Sequence, residues 1–361
     1  MSMKERAEAL AARVVPRLPE RVLRKMAGDP VVIDGRTLDV VIQLAAAQSA
    51  DGPSIADLDP VTARSVTAAA FAASNATRAA GVSTHELTID GGPVVRVYRP
   101  ASTSGARPGM LFMHQGGFVI GDLDTCDSFC SRAAARLDAV VISLQYRMGP
   151  EHLFPAPAED ADAAWAWMSA NAAGLGIDPT RIVVCGGSAG GQMSAALCQR
   201  LRDTDGVAPA AQVRVYPWVD ATAADGAMES CAEAFPLTVR TLDWFVAHAI
   251  PHDYDLADPA LSPALAEQVG DVPPAIVVTA GFDPLRDQGI EFAAALKASG
   301  VAVTARCENS LSHSFLSLDG AVPEASAAVD RILADIERQL CADIGHLLIS
   351  DTRRWHDGRH G

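Results

Sequence analysis

The sequence predicts an α/β fold built on an eight-stranded, mostly parallel sheet with helices on both faces. Three observations lead there. Short runs of β-branched and apolar residues recur between turn signals. Most of the later runs alternate with Ala-rich segments of helical character. Several of the runs are also mostly apolar, as strands covered on both faces must be.

In chain order the strand runs are 84–90, 93–99, 109–114, 139–145, 181–185, 211–216, 274–280 and 301–307. Gly91-Gly92 separates the first two and reads as a hairpin turn, which places an antiparallel pair at the start of the sheet. Helical segments fall at 124–137, 158–173, 189–203, 285–299 and 322–340. Two regions break the alternation. Residues 1–80 are helical in character with no strand signal, and 219–270 combine a polar stretch with Leu242-Asp243-Trp244-Phe245 and Pro/Asp-rich turns. Each is long enough to contribute to a helical lid. The expected division is therefore 1–80 as N-terminal cap helices, 81–218 with 271–340 as the α/β domain, 219–270 as a cap insertion and 341–361 as a tail.

The chain has 361 residues, 49% of them hydrophobic, so one large α/β domain with an accessory piece is affordable. A net charge of −15 argues against nucleic acid, which needs clustered Lys and Arg along a phosphate track. Charges at Lys4, Glu5, Arg6, Glu8, Arg13 and Arg17 interrupt any signal-peptide core, and no run reaches the ~18 apolar residues a membrane span requires. Seven cysteines, an odd number in a long chain, do not read as a secreted disulfide framework. A cytoplasmic protein without stable membrane insertion is the expectation. Cys126 and Cys130 read as two unrelated helix thiols.

The sharpest chemical signal is Gly186-Gly187-Ser188-Ala189-Gly190-Gly191, directly after the strand RIVVC and before a helical segment. A serine on so tight a strand-to-helix turn has strained backbone angles, and only glycines two before and two after it avoid clashes. Its hydroxyl then projects from the carboxyl edge of the sheet beside a helix N-terminus, where negative charge is stabilised. Ser188 is the candidate nucleophile. His114-Gln115-Gly116-Gly117-Phe118 follows the third strand, where glycine amides can reach a tetrahedral oxyanion. Gly116, Gly117 and Ala189 are the candidate donors, and His114 reads as a histidine that fixes the loop.

Of nine histidines, His313 alone lies in the loop after the last strand. Asp283 ends the seventh strand and is the candidate that orients this base, whereas Asp287 reads as a charge in the first turn of a helix. His152, His248 and His252 read as structural or exposed. His356 and His360 stand four apart, but Gly358 between them and the terminal position argue against a metal site. The chemistry needs no metal or organic cofactor. Phe118, Trp218 and Phe282 are candidates for the substrate-binding wall, with Phe154, Trp244 and Phe245 behind them.

These blocks together resemble the bacterial hormone-sensitive-lipase-like carboxylesterases of the α/β-hydrolase fold, from about Leu58 to about Leu340. The family's H-G-G-G-F loop is similar to His114–Phe118 and its G-D-S-A-G-G elbow to Gly186–Gly191. Its Y-R-x-x-P-E-H-x-F-P segment resembles Tyr146–Pro155, its Y-P-x-x-D resembles Tyr216–Asp220, its S-P turn Ser262-Pro263 and its D-P-L-R-D Asp283–Asp287. The resemblance implies a serine esterase acting on small short- to medium-chain esters, with residues 1–80 and 219–270 as the cap and with homodimers formed through late elements of the fold. The chain departs from the family pattern at Gln115 (glycine), Gly187 (aspartate), Gln192 (asparagine), Ser314 (glycine), Glu308 (tyrosine) and Ser310 (glycine). Amide or lactone hydrolysis by the same three residues is an alternative reaction, and a ligand receptor without turnover is an alternative of a different class.

Overall fold

The computed structural model describes residues 18–356 other than 51, 103, 104, 205 and 225, with side chains as far as Cys341. Helix α1 (Glu20–Ala27) leads into a short ribbon of β1 (Val32–Ile33) and β2 (Arg36–Thr37). The ribbon corrects the expectation that residues 1–80 hold no strand. Its turn, Asp34-Gly35, has both residues at positive φ, and two-residue strands are too short to show a periodic pattern. Helices α2 (Val40–Ser49) and α3 (Pro60–Ser74) follow, each started by an aspartate, Asp39 or Asp59, whose carboxylate accepts from the first free amides.

The sheet then begins with the hairpin β3 (Val82–Thr88) and β4 (Val94–Pro100) and continues through β5 (Arg107–Met113), α4 (Asp127–Arg136) and β6 (Val140–Gln145). After it come α5 (Ala156–Ala170), α6 (Ala172–Leu175), β7 (Ile177–Gly187), α7 (Ala189–Arg202) and β8 (Ala211–Val215). Two further helices, α8 (Ala227–Ser230) and α9 (Val239–Ala249), precede β9 (Ala275–Phe282), α10 (Arg286–Ala298), β10 (Val303–Ser312) and α11 (Pro323–His356). All eight expected strands form, within a few residues of their anticipated bounds. The backbone of the expected tail continues α11 as far as His356, while the His356 side chain and His360 lie outside the described residues, as do residues 1–17.

The eight-stranded sheet has the order β10-β9-β8-β7-β5-β6-β4-β3. Only β4 runs against its neighbours; it pairs antiparallel with both β3 and β6, and every other pairing is parallel. Both faces of the central strands are covered, which explains the apolar runs of β6 and β9, whereas β3 at the edge stays half-exposed. In β5, Leu111 and Met113 join one core with Met193 and Leu197 of α7, while Met110 and Phe112 join the other with Phe129 and Ala133 of α4. Along α11 the buried residues Ala325, Val329, Ile332, Leu333, Ile336 and Leu340 keep helical spacing and close that second core.

This topology positions the site. From β5 the chain crosses to β6 on one side, then returns to β7 on the other, so α4 and α7 leave on opposite faces. A crevice opens at the carboxyl ends of β5 and β7, the switch point where open α/β sheets bind ligands. The loop from β5 carries Gly116 and Gly117, and the turn from β7 carries Ser188.

Candidate active site

Ser188 occupies the single residue between β7 and α7 with φ 55° and ψ −118°, a conformation that L-residues avoid. Its neighbours show why they are glycine. A Cβ on Gly186 would lie 2.2 Å from the Gly190 carbonyl oxygen, and one on Gly190 would lie 2.0 Å from that of Met113. The amide of Ser188 donates to Val215 at 3.0 Å, tying the turn to β8.

The three residues singled out in the sequence converge here from the ends of three strands. His313 Nε2 stands 3.0 Å from Ser188 Oγ, and His313 Nδ1 stands 2.8 Å from Asp283 Oδ2. Asp283 is fully buried, and its other oxygen accepts the Leu285 amide at 2.9 Å, so the carboxylate is locked by two donors. Ser314, next to the base, holds φ 66°, the left-handed conformation for which the family uses glycine. Asp287 lies in the first turn of α10, as expected. It also accepts the Ala227 amide and pairs with Arg286, while Arg286 reaches Asp34, so the 219–270 region and the β1–β2 turn are tied to the loop of Asp283.

Gly116 and Gly117 have φ 134° and 58°. A Cβ on Gly116 would sit 2.0 Å from the Ile120 carbonyl oxygen, and one on Gly117 would enter the Phe245 ring at 2.2 Å. Among the described residues neither amide donates to a protein acceptor, and Ala189 opens α7, where the N–H has no acceptor within the helix. These are donors available to a ligand. His114 holds the loop from below. Its Nδ1 lies 2.8 Å from the Gln115 carbonyl oxygen, and its ring stacks on Tyr146 at 4.2 Å. Burial lowers the pKa of His114 from 6.5 to about 4, so it is neutral near pH 7 and serves as a fixed support.

Above Ser188 is a cavity of about 620 Å³ whose wall is mostly apolar. It is lined from one side by residues of α2 and α3, including Ala46, Val66 and Phe71, and from the other by Phe235, Leu237 and Phe245. The expectation for substrate-binding residues needs correction. Phe118, Trp218 and Phe282 are not on this wall. Phe118 is fully buried against Tyr146, Phe154 and Trp218, and Phe282 belongs to the core beneath the sheet's other face. Of the aromatics named behind them, Phe245 alone reaches the cavity.

Sequence reasoning missed Arg64 altogether. From α3 it donates to the Val119 and Gly149 carbonyls at 2.8 and 2.6 Å and pairs with Glu151, whose carboxyl it pulls down to about 2. Partners so distant in sequence leave no local signal.

A strained serine on a strand-to-helix turn, a histidine and a buried aspartate at neighbouring strand ends, and free loop amides beside them define an α/β hydrolase of the serine type. A family profile described as alpha/beta hydrolase fold matches residues 110–317. The carboxylic ester hydrolase LipN of Mycobacterium tuberculosis is 39% identical over 345 residues, which cover 92% of this chain and 91% of that one. Carboxylesterase NlhH of the same species is 38% identical over 252 residues, covering 69% and 79%. The solved structure of a hyperthermophilic esterase from the archaeon Pyrobaculum calidifontis superposes with a TM-score of 0.77 at 33% identity, covering 83% of this chain and 98% of that one. The chain belongs to the hormone-sensitive-lipase-like family of α/β-hydrolase carboxylesterases.

Proposed function

We propose that Ser188, His313 and Asp283 carry ester hydrolysis in this chain through an acyl-serine intermediate. The observation that carries the assignment is the unbroken hydrogen-bonded series from Ser188 Oγ to His313 at 3.0 Å and on to Asp283 at 2.8 Å. His313 Nε2 takes the Ser188 proton as Oγ bonds to the ester carbonyl carbon. The oxyanion accepts from the Gly116, Gly117 and Ala189 amides; losing one such donor typically costs ~2.7–4 kcal/mol. As the carbon–oxygen bond of the ester breaks, protonated His313 gives its proton to the departing alcohol. Water then enters and gives a proton to His313 as it attacks the acyl carbon; the acyl–Oγ bond breaks, His313 returns the proton to Ser188 Oγ, and the acid leaves. Asp283 holds His313 in the tautomer with its proton on Nδ1.

The helical regions on either side of the cavity act as the cap, with the division 1–80 and 219–270 anticipated above. The size and apolar wall of the cavity favour neutral esters with short to medium acyl chains. Among the described residues, Glu233 is the only acidic side chain on that wall and no Lys or Arg lines it, so anionic esters are disfavoured. All seven cysteines are unpaired, which supports work in a reducing compartment such as the cytoplasm. The test is a set of initial rates on p-nitrophenyl acetate, butyrate, octanoate and palmitate. The short esters should turn over fastest, and Ser188→Ala should abolish the rate; undiminished turnover by that variant refutes the assignment.

A further inference from the structure

Two of the departures from the family pattern, Gln115 and Gly187, meet on one residue. Tyr216, at the end of β8, donates its hydroxyl to Gln115 Oε1 at 2.5 Å. The Gln115 amide nitrogen donates to Ser317 Oγ at 3.0 Å, and the Ser317 hydroxyl donates to the Thr125 carbonyl at 2.6 Å. The Leu316 amide donates back to the Tyr216 hydroxyl at 3.3 Å. Gln115, Tyr216 and Ser317 are all essentially inaccessible to water. This series therefore joins the oxyanion loop, the end of β8 and the loop of the base through buried groups.

Gly187 makes room for it. A Cβ there would stand 3.0 Å from Cε2 and 3.2 Å from the hydroxyl oxygen of Tyr216, closer than nearly all real contacts. A side chain at this position would require the ring to give by a few tenths of an ångström. That ring in turn packs against His313, centroid to centroid 4.7 Å, so its position bears on the base. Tyr216 also stands at φ 38°, a left-handed conformation that surrounding contacts must hold. Burial raises the phenol's pKa well above its ordinary value, and the hydroxyl remains a donor.

We infer that Gln115 and Tyr216 are positioning residues that couple the oxyanion loop to the base, and that Gly187 is the space their hydrogen bond requires. Gln115 thus supplies a side-chain tie between the two loops, where the family's glycine has no side chain to offer. The inference rests on the assignment of Ser188 and His313 given above. Its chemistry is general: a donor or base displaced by a fraction of an ångström loses rate while binding persists.

The experiment is a double-mutant cycle on Gln115→Met and Tyr216→Phe, reading kcat and KM with p-nitrophenyl butyrate. Tyr216→Phe removes one oxygen and keeps the ring, so it guards against a mere folding defect. Each single variant should lose about tenfold or more in kcat with KM within about twofold, and the double variant should be no slower than the slower single. Unchanged kcat in Gln115→Met, or losses that multiply in the double variant, would overturn the inference. So would a rise in KM confined to Gln115→Met, since that marks a plain substrate contact on the cavity wall. Gly187→Asp should slow the enzyme in the wild-type background and do less harm beside Gln115→Gly. Equal harm in both backgrounds contradicts the shared-space argument. The same cycle read in melting temperatures needs no substrate and must also show coupling. A wild-type protein without turnover sinks the esterase assignment, whereas an active wild type with uncoupled variants sinks only this inference.

Discussion

Single residues show where stereochemistry leaves one solution. Gly117 is held at φ 58° with the Phe245 ring where a side chain would be. Gly117→Ala should therefore displace the loop and remove a donor, lowering kcat by about 10²- to 10³-fold on p-nitrophenyl butyrate while the chain stays folded. His114 supports a prediction in pH. Its pKa is about 4 in the fold and 6.5 when exposed, so between those values the unfolded chain binds a proton that the native chain does not. The full contribution is present above 6.5 and is lost as pH falls toward about 4, by at most about 3 kcal/mol. Melting temperatures of wild type and His114→Asn across that window should diverge in slope, the wild type being the steeper. Residues of this kind were readable in advance because their chemistry imposes local spacing, as in Gly186-Gly187-Ser188-Ala189-Gly190. The three substrate-wall candidates were not. Phe118, Trp218 and Phe282 sit at the right strand ends, yet nothing local says whether a strand-end ring turns toward the cavity or the core.

Among the elements, the strands were the easiest to anticipate and the lid pieces the hardest. A strand buried on both faces announces itself by composition, as Ile182-Val183-Val184 does in β7. Helix α3 is different. Its register over the site is held by Arg64, which satisfies two carbonyls, from Val119 and Gly149, and one carboxylate far away in sequence. Removing the guanidinium leaves those partly buried carbonyls without a partner, at a cost of about 1–3 kcal/mol. Arg64→Ala should accordingly lower the melting temperature and raise KM more than it lowers kcat, because α3 walls the cavity without touching the reacting atoms. A loss confined to kcat would place Arg64 in the chemistry and contradict this account. The ribbon of β1 and β2 escaped notice for a related reason: it is specified by the Asp34-Gly35 turn and by contact with the rest of the fold, not by a pattern of its own.

For the whole molecule, the order of strands brings three distant loops to one crevice, and residues from the two regions outside the strand–helix alternation line the cavity above it. The acidic balance of the chain and Glu233 on the cavity wall act in the same direction on charged substrates. Glu233→Lys should raise kcat/KM for an ester carrying a carboxylate relative to its neutral isostere by about three- to tenfold at low salt, an advantage that added salt erodes. An unchanged ratio removes Glu233 from any part in selection. The central claim, that Ser188 is acylated, is tested most directly by mass spectrometry of the protein quenched during turnover of p-nitrophenyl butyrate. The account predicts one butyryl group per chain, on the peptide containing Ser188 and absent from Ser188→Ala. An acyl group on another residue, or full turnover by the variant, would contradict it.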